Sequence, residues 1–499
     1  MMPNPLMQVL LIPLLSTPLI YLYARRAGKY GGYAAAIPLT YTLLLLLALL
    51  NEVLKGASHL ESYTWAPGAA LTFGLLADGL SIWMLLTINL LSLLVSIYSV
   101  RYMEHRFEEE HEGHEHFSKS DYANYYALYM LYVAGMMGTV MATNLIEFYL
   151  FYELMLIPSW LLINNYGYGE RERIGMMYFL WTHVGAVILL VGLLSAYWVT
   201  GSFEISALPA VASSPNAPLI AVAILIGFFT KMAVFGLHIW LPYAHAEAPT
   251  PISALLSPAM IGIGAYAATR LVLLPMSTIF SHFSLIFSLW ALVTMVYGGL
   301  MALAQDDVKR FLAYSSISQM GYIFLGMASV STLGVSGAMF HYVSHGLGKC
   351  ILFCVAGILI TQVGTRSMKH MGGLADRMPL TATLALIGVF SIAGVPPTAG
   401  FMSKWLIFSG VFDSSLPSLD AAVFAAVSII MTVLTVGYTL WMIRRVFFGP
   451  LPEGLREVRE APPVMTAPLI ILAAISLILG VYPRLITDSL LPLIGSLLG

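Results

Sequence analysis

Charge and cysteine are what this 499-residue chain has least of. Only 10% of its residues are Asp, Glu, Lys or Arg, against roughly a quarter in an ordinary soluble domain. Its two cysteines, Cys350 and Cys354, lie four apart in one apolar run, so they cannot supply the four thiolates of an iron–sulfur cluster. Gly-rich nucleotide fingerprints and P-loops are missing as well. No cofactor and no metal is therefore expected on the chain, and too little sequence lies outside apolar runs for a soluble catalytic domain of usual size. The net charge of −2 singles out no charged partner, and nucleic acid is not expected among the partners.

What is present is hydrophobic, 59% of the residues. Windows of about 20 apolar residues predict fourteen transmembrane helices near 5–23, 32–54, 77–100, 122–141, 144–164, 174–200, 217–242, 250–274, 276–300, 309–329, 333–363, 379–411, 421–448 and 462–485. The fold class expected is an all-α, multi-pass integral membrane protein. The first span is long, proline-interrupted and without a basic start, and reads as a helix rather than a cleaved signal peptide. Alternate loops should collect Lys and Arg on the cytoplasmic side. Seventeen of the 23 fall in one set of loops, whereas only Lys55, Arg270 and Arg484 fall in the other. That split predicts a cytoplasmic basic side and termini on the opposite face. The one strongly polar insert, 101–121, is rich in His and Glu; such tracts sometimes bind metal, but a solvated loop is the commoner outcome.

The remaining ionisable residues lie inside the spans. Lys231 stands roughly 21 Å along a helix counted from Ala217, near the middle of a hydrocarbon core about 30 Å thick, before a predicted break at Pro242, Pro249 and Pro251. His238 follows at i+7, on the same helical face, and His245 at i+14. Glu153 lies at matching depth on span five, where a carboxylate beside an ammonium would ionise and hold the lysine charged. In span eleven His341, His345 and Lys349 recur every four residues and form one slowly rotating stripe. A second break, GVPPTAGFMSKW, carries Lys404. His183 adds an imidazole on span six, where packing is the commoner role. At about 3 kcal/mol each, the four charges Glu153, Lys231, Lys349 and Lys404 cost about as much as the net stability of a typical domain, so packing alone does not explain them.

Proline-interrupted spans in corresponding positions signal inverted repeats around a transport site. The two breaks are five spans apart, which predicts two inverted five-helix repeats, each with a broken helix. The divisions are 1–121 (three helices and the polar insert), 122–275 (a half-channel with Glu153 and Lys231), 276–449 (a half-channel with Lys349 and Lys404) and 450–499 (a loop and the last span).

The runs EFYLFYELMLIP, TKMAVFGLHIWLPYAHAEAPTPISALL, DDVKRFLAYSSISQMGYIFLG, FHYVSHGLGKCILF and GVPPTAGFMSKW resemble the antiporter-like subunits of respiratory complex I, above all chain M, the counterpart of mitochondrial subunit four. The resemblance implies a proton-translocating, non-redox subunit of an NADH:quinone oxidoreductase or of a ferredoxin- or F420-linked relative. It implies neighbouring antiporter-like membrane subunits, protons and lipid as partners, quinone bound elsewhere in the assembly, and a prokaryotic plasma membrane. It gives Glu153 and Lys231 the carboxylate–lysine pair of the first half-channel, Lys404 the terminal group of the second, and His238, His341, His345 and Lys349 the connecting axis. Two positions depart from chain M: Lys404 replaces a usual glutamate, and Gly262 stands where a span-eight lysine is usual. Lys349 in its HxxxHxxxK setting is similar instead to chain L and to Mrp-type antiporter and membrane-bound hydrogenase subunits, although the sequence stops at Gly499, just after span fourteen, where chain L has a long lateral helix. An Mrp-type sodium/proton antiporter subunit is the alternative, and a purely structural membrane scaffold a third class.

Overall fold

The computed structural model describes residues 3–66, 71–111, 118–414, 416 and 418–498. Its apolar runs fold into helices because a bilayer offers no partner for backbone groups, and a helix satisfies them internally. From the N-terminus come α1 (Pro5–Ala27) and α2 (Gly31–Val53), a two-stranded antiparallel sheet of β1 (His59–Ala66) and β2 (Leu71–Ala77), α3 (Ser81–His111), α4 (Lys119–Met141), α5 (Leu145–Tyr166) and α6 (Arg171–Thr200). Then follow α7 (Ala217–Met232), α8 (Trp240–Glu247), α9 (Thr250–Leu255), a π-turn, α10 (Ile261–Ala268), α11 (Ser277–His282), α12 (Ser284–Leu303) and α13 (Val308–Ala328). The chain ends through α14 (Thr332–Val363), α15 (Pro379–Ala393), α16 (Ala399–Phe412), α17 (Ser418–Phe447), α18 (Pro463–Val481) and α19 (Arg484–Leu498).

The hairpin corrects the all-α expectation. Windows tuned to 20 apolar residues pass over two strands of 8 and 7 residues. The polar insert is corrected too, since α3 continues as helix to His111; the rest of its His/Glu tract, 112–117, lies outside the described residues. Among the described residues nine helical segments are long and apolar enough to cross a membrane, and three shorter apolar helices are α7, α15 and α16. These three, together with α8, are the pieces that flank the two breaks.

Burial runs opposite to a soluble protein's. The 250–273 segment and α14 are enclosed on all sides, and α14 carries the ionisable stripe through the centre. The outer helices α6 and α17 turn Val184, Val191 and Trp198, and Ile430 and Val433, to the exterior, a surface suited to acyl chains. α6 meets α7 closely through Gly185, Gly192 and Gly227, where added Cβ atoms would strike the facing helix, as small residues permit between membrane helices.

The loops meet in two separate groups. On one face Glu61 of β1 accepts from the amides of Leu6 and Met7 at 2.7 and 2.9 Å, capping the start of α1. There also β2 bridges Ala142, Asn144 bridges Glu204, Asp78 binds Arg270, and Trp83 Nε1 donates to Ser489 Oγ at 2.7 Å. On the other face Arg106 donates to Gly167 O, Asp307 bridges Ser367, and Arg445 approaches Asp306. The second group is the lysine- and arginine-rich one, in agreement with the charge split, and the start of α1 and Ser489 of α19 sit with the first.

Candidate proton-carrying axis

The first break lies earlier than the prolines suggested. α7 stops at Ala233, whose φ of 56° is left-handed, and the chain runs non-helically past Gly236 (φ 89°) before α8 restarts at Trp240. Pro242 falls at the third position of α8, where an amide would have no helical partner anyway, so it marks a start and not a stop. The freed backbone is satisfied by side chains. Trp240 Nε1 donates to Thr230 O at 3.0 Å, Trp290 Nε1 to Phe235 O at 2.8 Å and Trp181 Nε1 to Leu237 O at 3.0 Å, while Phe235 N donates to Thr294 Oγ1 at 3.2 Å. Lys231 is the penultimate residue of α7, at the end where the helix dipole favours a cation. It is 1% exposed, its Nζ has no hydrogen-bond partner, and it stands 4.6 Å from the centroid of the Tyr152 ring.

Two expectations about this half are refined. Glu153 makes no hydrogen bond to Lys231, although its charge acts on the ammonium through space; its Oε2 lies 3.2 Å from His183 Nδ1, its Oε1 is buried and unpartnered, and the side-chain exposures of the pair are 16% and 40%. One step along α5 turns a side chain by about 100°, so Tyr152 takes the inward direction and Glu153 the outward one. His238 is not on the helical face of Lys231 either. It sits in the break, accepts from Gly236 N at 3.1 Å and packs its ring on Phe235 and Tyr297.

The second break falls as the sequence predicts, over 394–398, with Gly394 at φ 78°. The two pieces pass so closely that a Cβ on Gly400 would overlap Ser391 O. Lys404, 2% exposed, donates to Ile392 O at 2.9 Å, one of the carbonyls orphaned at the end of α15. Its ammonium lies 4.0 Å from the centroid of the Tyr322 ring. Both broken helices therefore hold a buried lysine over a tyrosine from a neighbouring helix.

The α14 stripe adjoins Lys404. His341 Nδ1 is 2.9 Å from Ser403 Oγ, next to Lys404 in sequence, and its Nε2 is 3.2 Å from Gln319 Oε1. His345 stands with its ring centroid 6.3 Å from that of His341, and neither ring nitrogen has a partner. Lys349 donates to Leu312 O at 2.8 Å and to Ser315 Oγ. His341, His345 and Lys349 thus form one buried band that Ser403 joins to Lys404, whereas Lys231, Glu153 and His238 make no direct contact with it. Sequence reasoning missed Tyr152 and Tyr322, because nothing distinguishes two platforms among 27 tyrosines. It also missed the His183–Glu153 contact, although the imidazole itself was visible.

Two broken helices thus hold buried lysines inside a multi-pass membrane protein. The description "NADH:quinone oxidoreductase/Mrp antiporter, TM" matches residues 142–434, and "NADH-Ubiquinone oxidoreductase (complex I), chain 5 N-terminus" matches 65–112. The chain belongs to the membrane family shared by NADH:quinone oxidoreductases and Mrp antiporters. It is 31% identical to NADH-quinone oxidoreductase subunit M of Rhodobacter capsulatus, over 99% of this chain and 96% of that one. It is 35% identical to F(420)H(2) dehydrogenase subunit M of Methanosarcina mazei, over 72% and 73%. A chain of respiratory complex I from Thermus thermophilus matches at a TM-score of 0.86 and 26% identity, covering 99% of this chain and all of that one.

Proposed function

We propose that this chain is a proton-translocating plasma-membrane subunit of a complex I-type oxidoreductase, without a redox group of its own, driven by quinone reduction elsewhere in the assembly. The observation that carries this is the pairing of lysines with helix breaks. Lys231 and Lys404 are buried, one just before a break and one in the helix that follows a break, and each rests on a tyrosine. A charge there costs about 3 kcal/mol, which a neutral amine avoids, so such a lysine can alternate between holding and releasing a proton. The likeness to the subunit M relatives supports the oxidoreductase context. In this proposal fourteen spans form two inverted repeats, 122–275 and 276–449, between flanking parts 1–121 and 450–499. Glu153 receives cytoplasmic protons, Lys231 stores them, His238 tunes the break, His341, His345 and Lys349 pass them on, and Lys404 is the last carrier. Its partners are protons, lipid and neighbouring antiporter-like subunits.

The family description also names Mrp antiporters, which keeps a sodium/proton antiporter subunit as the second reading. Purification of the intact assembly followed by mass spectrometry and vesicle assays separates them. Copurifying quinone-site and iron–sulfur subunits, with donor-driven proton uptake, are expected. Sodium-dependent proton release with no electron donor, and no redox subunits, would favour the antiporter.

A further inference from the structure

The proposed axis leaves one buried imidazole unused. His245 is 0% exposed, both of its ring nitrogens lack a hydrogen-bond partner, and its ring lies on that of Phe353 at 4.8 Å. It belongs to α8, the second piece of the first broken helix, so the break delivers it to the flank of α14. Phe353 is one helical turn from Lys349. The residues beside His245 face a second lysine, since Lys309 Nζ donates to Ala246 O at 3.2 Å and to Ala248 O. Lys309 stands one turn before Leu312, the carbonyl that accepts from Lys349. His245 is therefore bracketed by Lys349 on the central side and Lys309 on the other.

The Lys309 side leads to the cytoplasmic surface. Arg366, 31% exposed at its side chain, also donates to Ala246 O, at 2.5 Å, and pairs with Asp307. Lys309, Arg366 and Arg106 gather around the Tyr168 ring at 5.3, 5.9 and 4.1 Å from its centroid. The span-eight position offers no rival route. A Cβ on Gly262 would meet the Tyr342 ring, which fills the space a longer side chain would need.

We infer that His245 is a proton relay joining the cytoplasmic surface near Lys309 and Arg366 to the central axis at Lys349, a second uptake route besides Glu153. The inference rests on the transport reading above. In each passage a cytoplasmic water gives a proton to one ring nitrogen, the other ring nitrogen gives one to the neutral Lys349 amine, and hydroxide leaves to the cytoplasm. Only N–H and O–H bonds form and break.

The test uses the intact assembly in sealed vesicles, with proton translocation and electron transfer measured side by side. His245→Phe keeps a ring against Phe353 but carries no proton, and should remove the share of proton translocation taken up beside Lys309, about half where the two routes load the axis equally, since a positioned acid–base group supplies about a hundredfold or more to its own path. Phe353→Leu loosens the ring stack but leaves the imidazole, and should stay close to the wild-type rate. The reverse ranking would mean that His245 only packs, and would overturn the relay. Should His245→Phe fail to assemble, His245→Gln replaces it with the same expectation. Lys231→Ala serves as the reference: full pumping in that variant defeats the transport reading itself, whereas a dead Lys231→Ala beside a fully active His245→Phe defeats the relay alone.

Discussion

At the residue scale, a buried ammonium needs something better than hydrocarbon around it. Lys404 has a carbonyl and a ring, and Lys231 has the ring and, at longer range, the Glu153 carboxylate. Cation–π contact is worth about 0.5–2 kcal/mol, so Tyr152 is a large share of what holds a proton on Lys231. Tyr152→Leu should lower proton translocation roughly two- to thirty-fold, while Tyr152→Phe, which keeps the ring, stays close to wild type. Equal losses in the two variants would show that the phenol hydroxyl, which donates to Gly227 O at 3.3 Å, matters and the ring face does not. The lysines were legible in the sequence because a charge in an apolar run stands out. Their partners were not, because which of the adjacent Tyr152 and Glu153 turns inward depends on how α5 is rotated against its neighbours.

At the scale of elements, the two breaks make unequal demands on the chain. The second turns at glycine, but the first turns at Ala233, where a Cβ in the left-handed region costs roughly 1–2 kcal/mol. Ala233→Gly should therefore raise thermal stability in detergent by up to about 1 kcal/mol; a lower melting temperature would contradict strain at this position. Gly400→Ala should do the opposite, because its methyl would drive α16 off Ser391 O, a loss of about 1–3 kcal/mol by overpacking. Unchanged melting would show that the two pieces separate readily. That two helices break was readable from proline density. Where the first breaks was not, because Pro242 and Pro251 occupy the opening turns of α8 and α9 and so report where helices begin.

At the scale of the whole molecule, the outer loops form a clasp across the helices. Its centre is Asp78, which Arg270 holds at 2.6 and 2.7 Å and which also accepts from the amides of Leu80 and Ser81. Burial alone would raise the Asp78 carboxyl, but the Arg270 charge and these bonds outweigh it and hold the group below its ordinary value. A depressed carboxylate contributes stability that is complete above its unfolded pKa of about 3.9 and is lost as pH falls through the lower folded value. Asp78→Asn should destabilise the protein by about 3–5 kcal/mol near neutral pH, since Arg270 is left buried without its partner. The gap to wild type should narrow when melts are repeated in acid; a gap independent of pH would remove the ion pair from the account. The sidedness of this clasp was legible, because sparse Lys and Arg mark the outer loops. The hairpin that builds it was not, since two short strands leave no trace in a search for membrane spans.

The central claim is that protons cross through the buried lysines while electrons move elsewhere in the assembly. The most direct measurement is the proton-to-electron ratio of the intact assembly carrying Lys231→Ala in sealed vesicles, after normal assembly has been verified. The account predicts a ratio clearly below wild type, or electron transfer stalled together with pumping. A full ratio at an undiminished rate would contradict it.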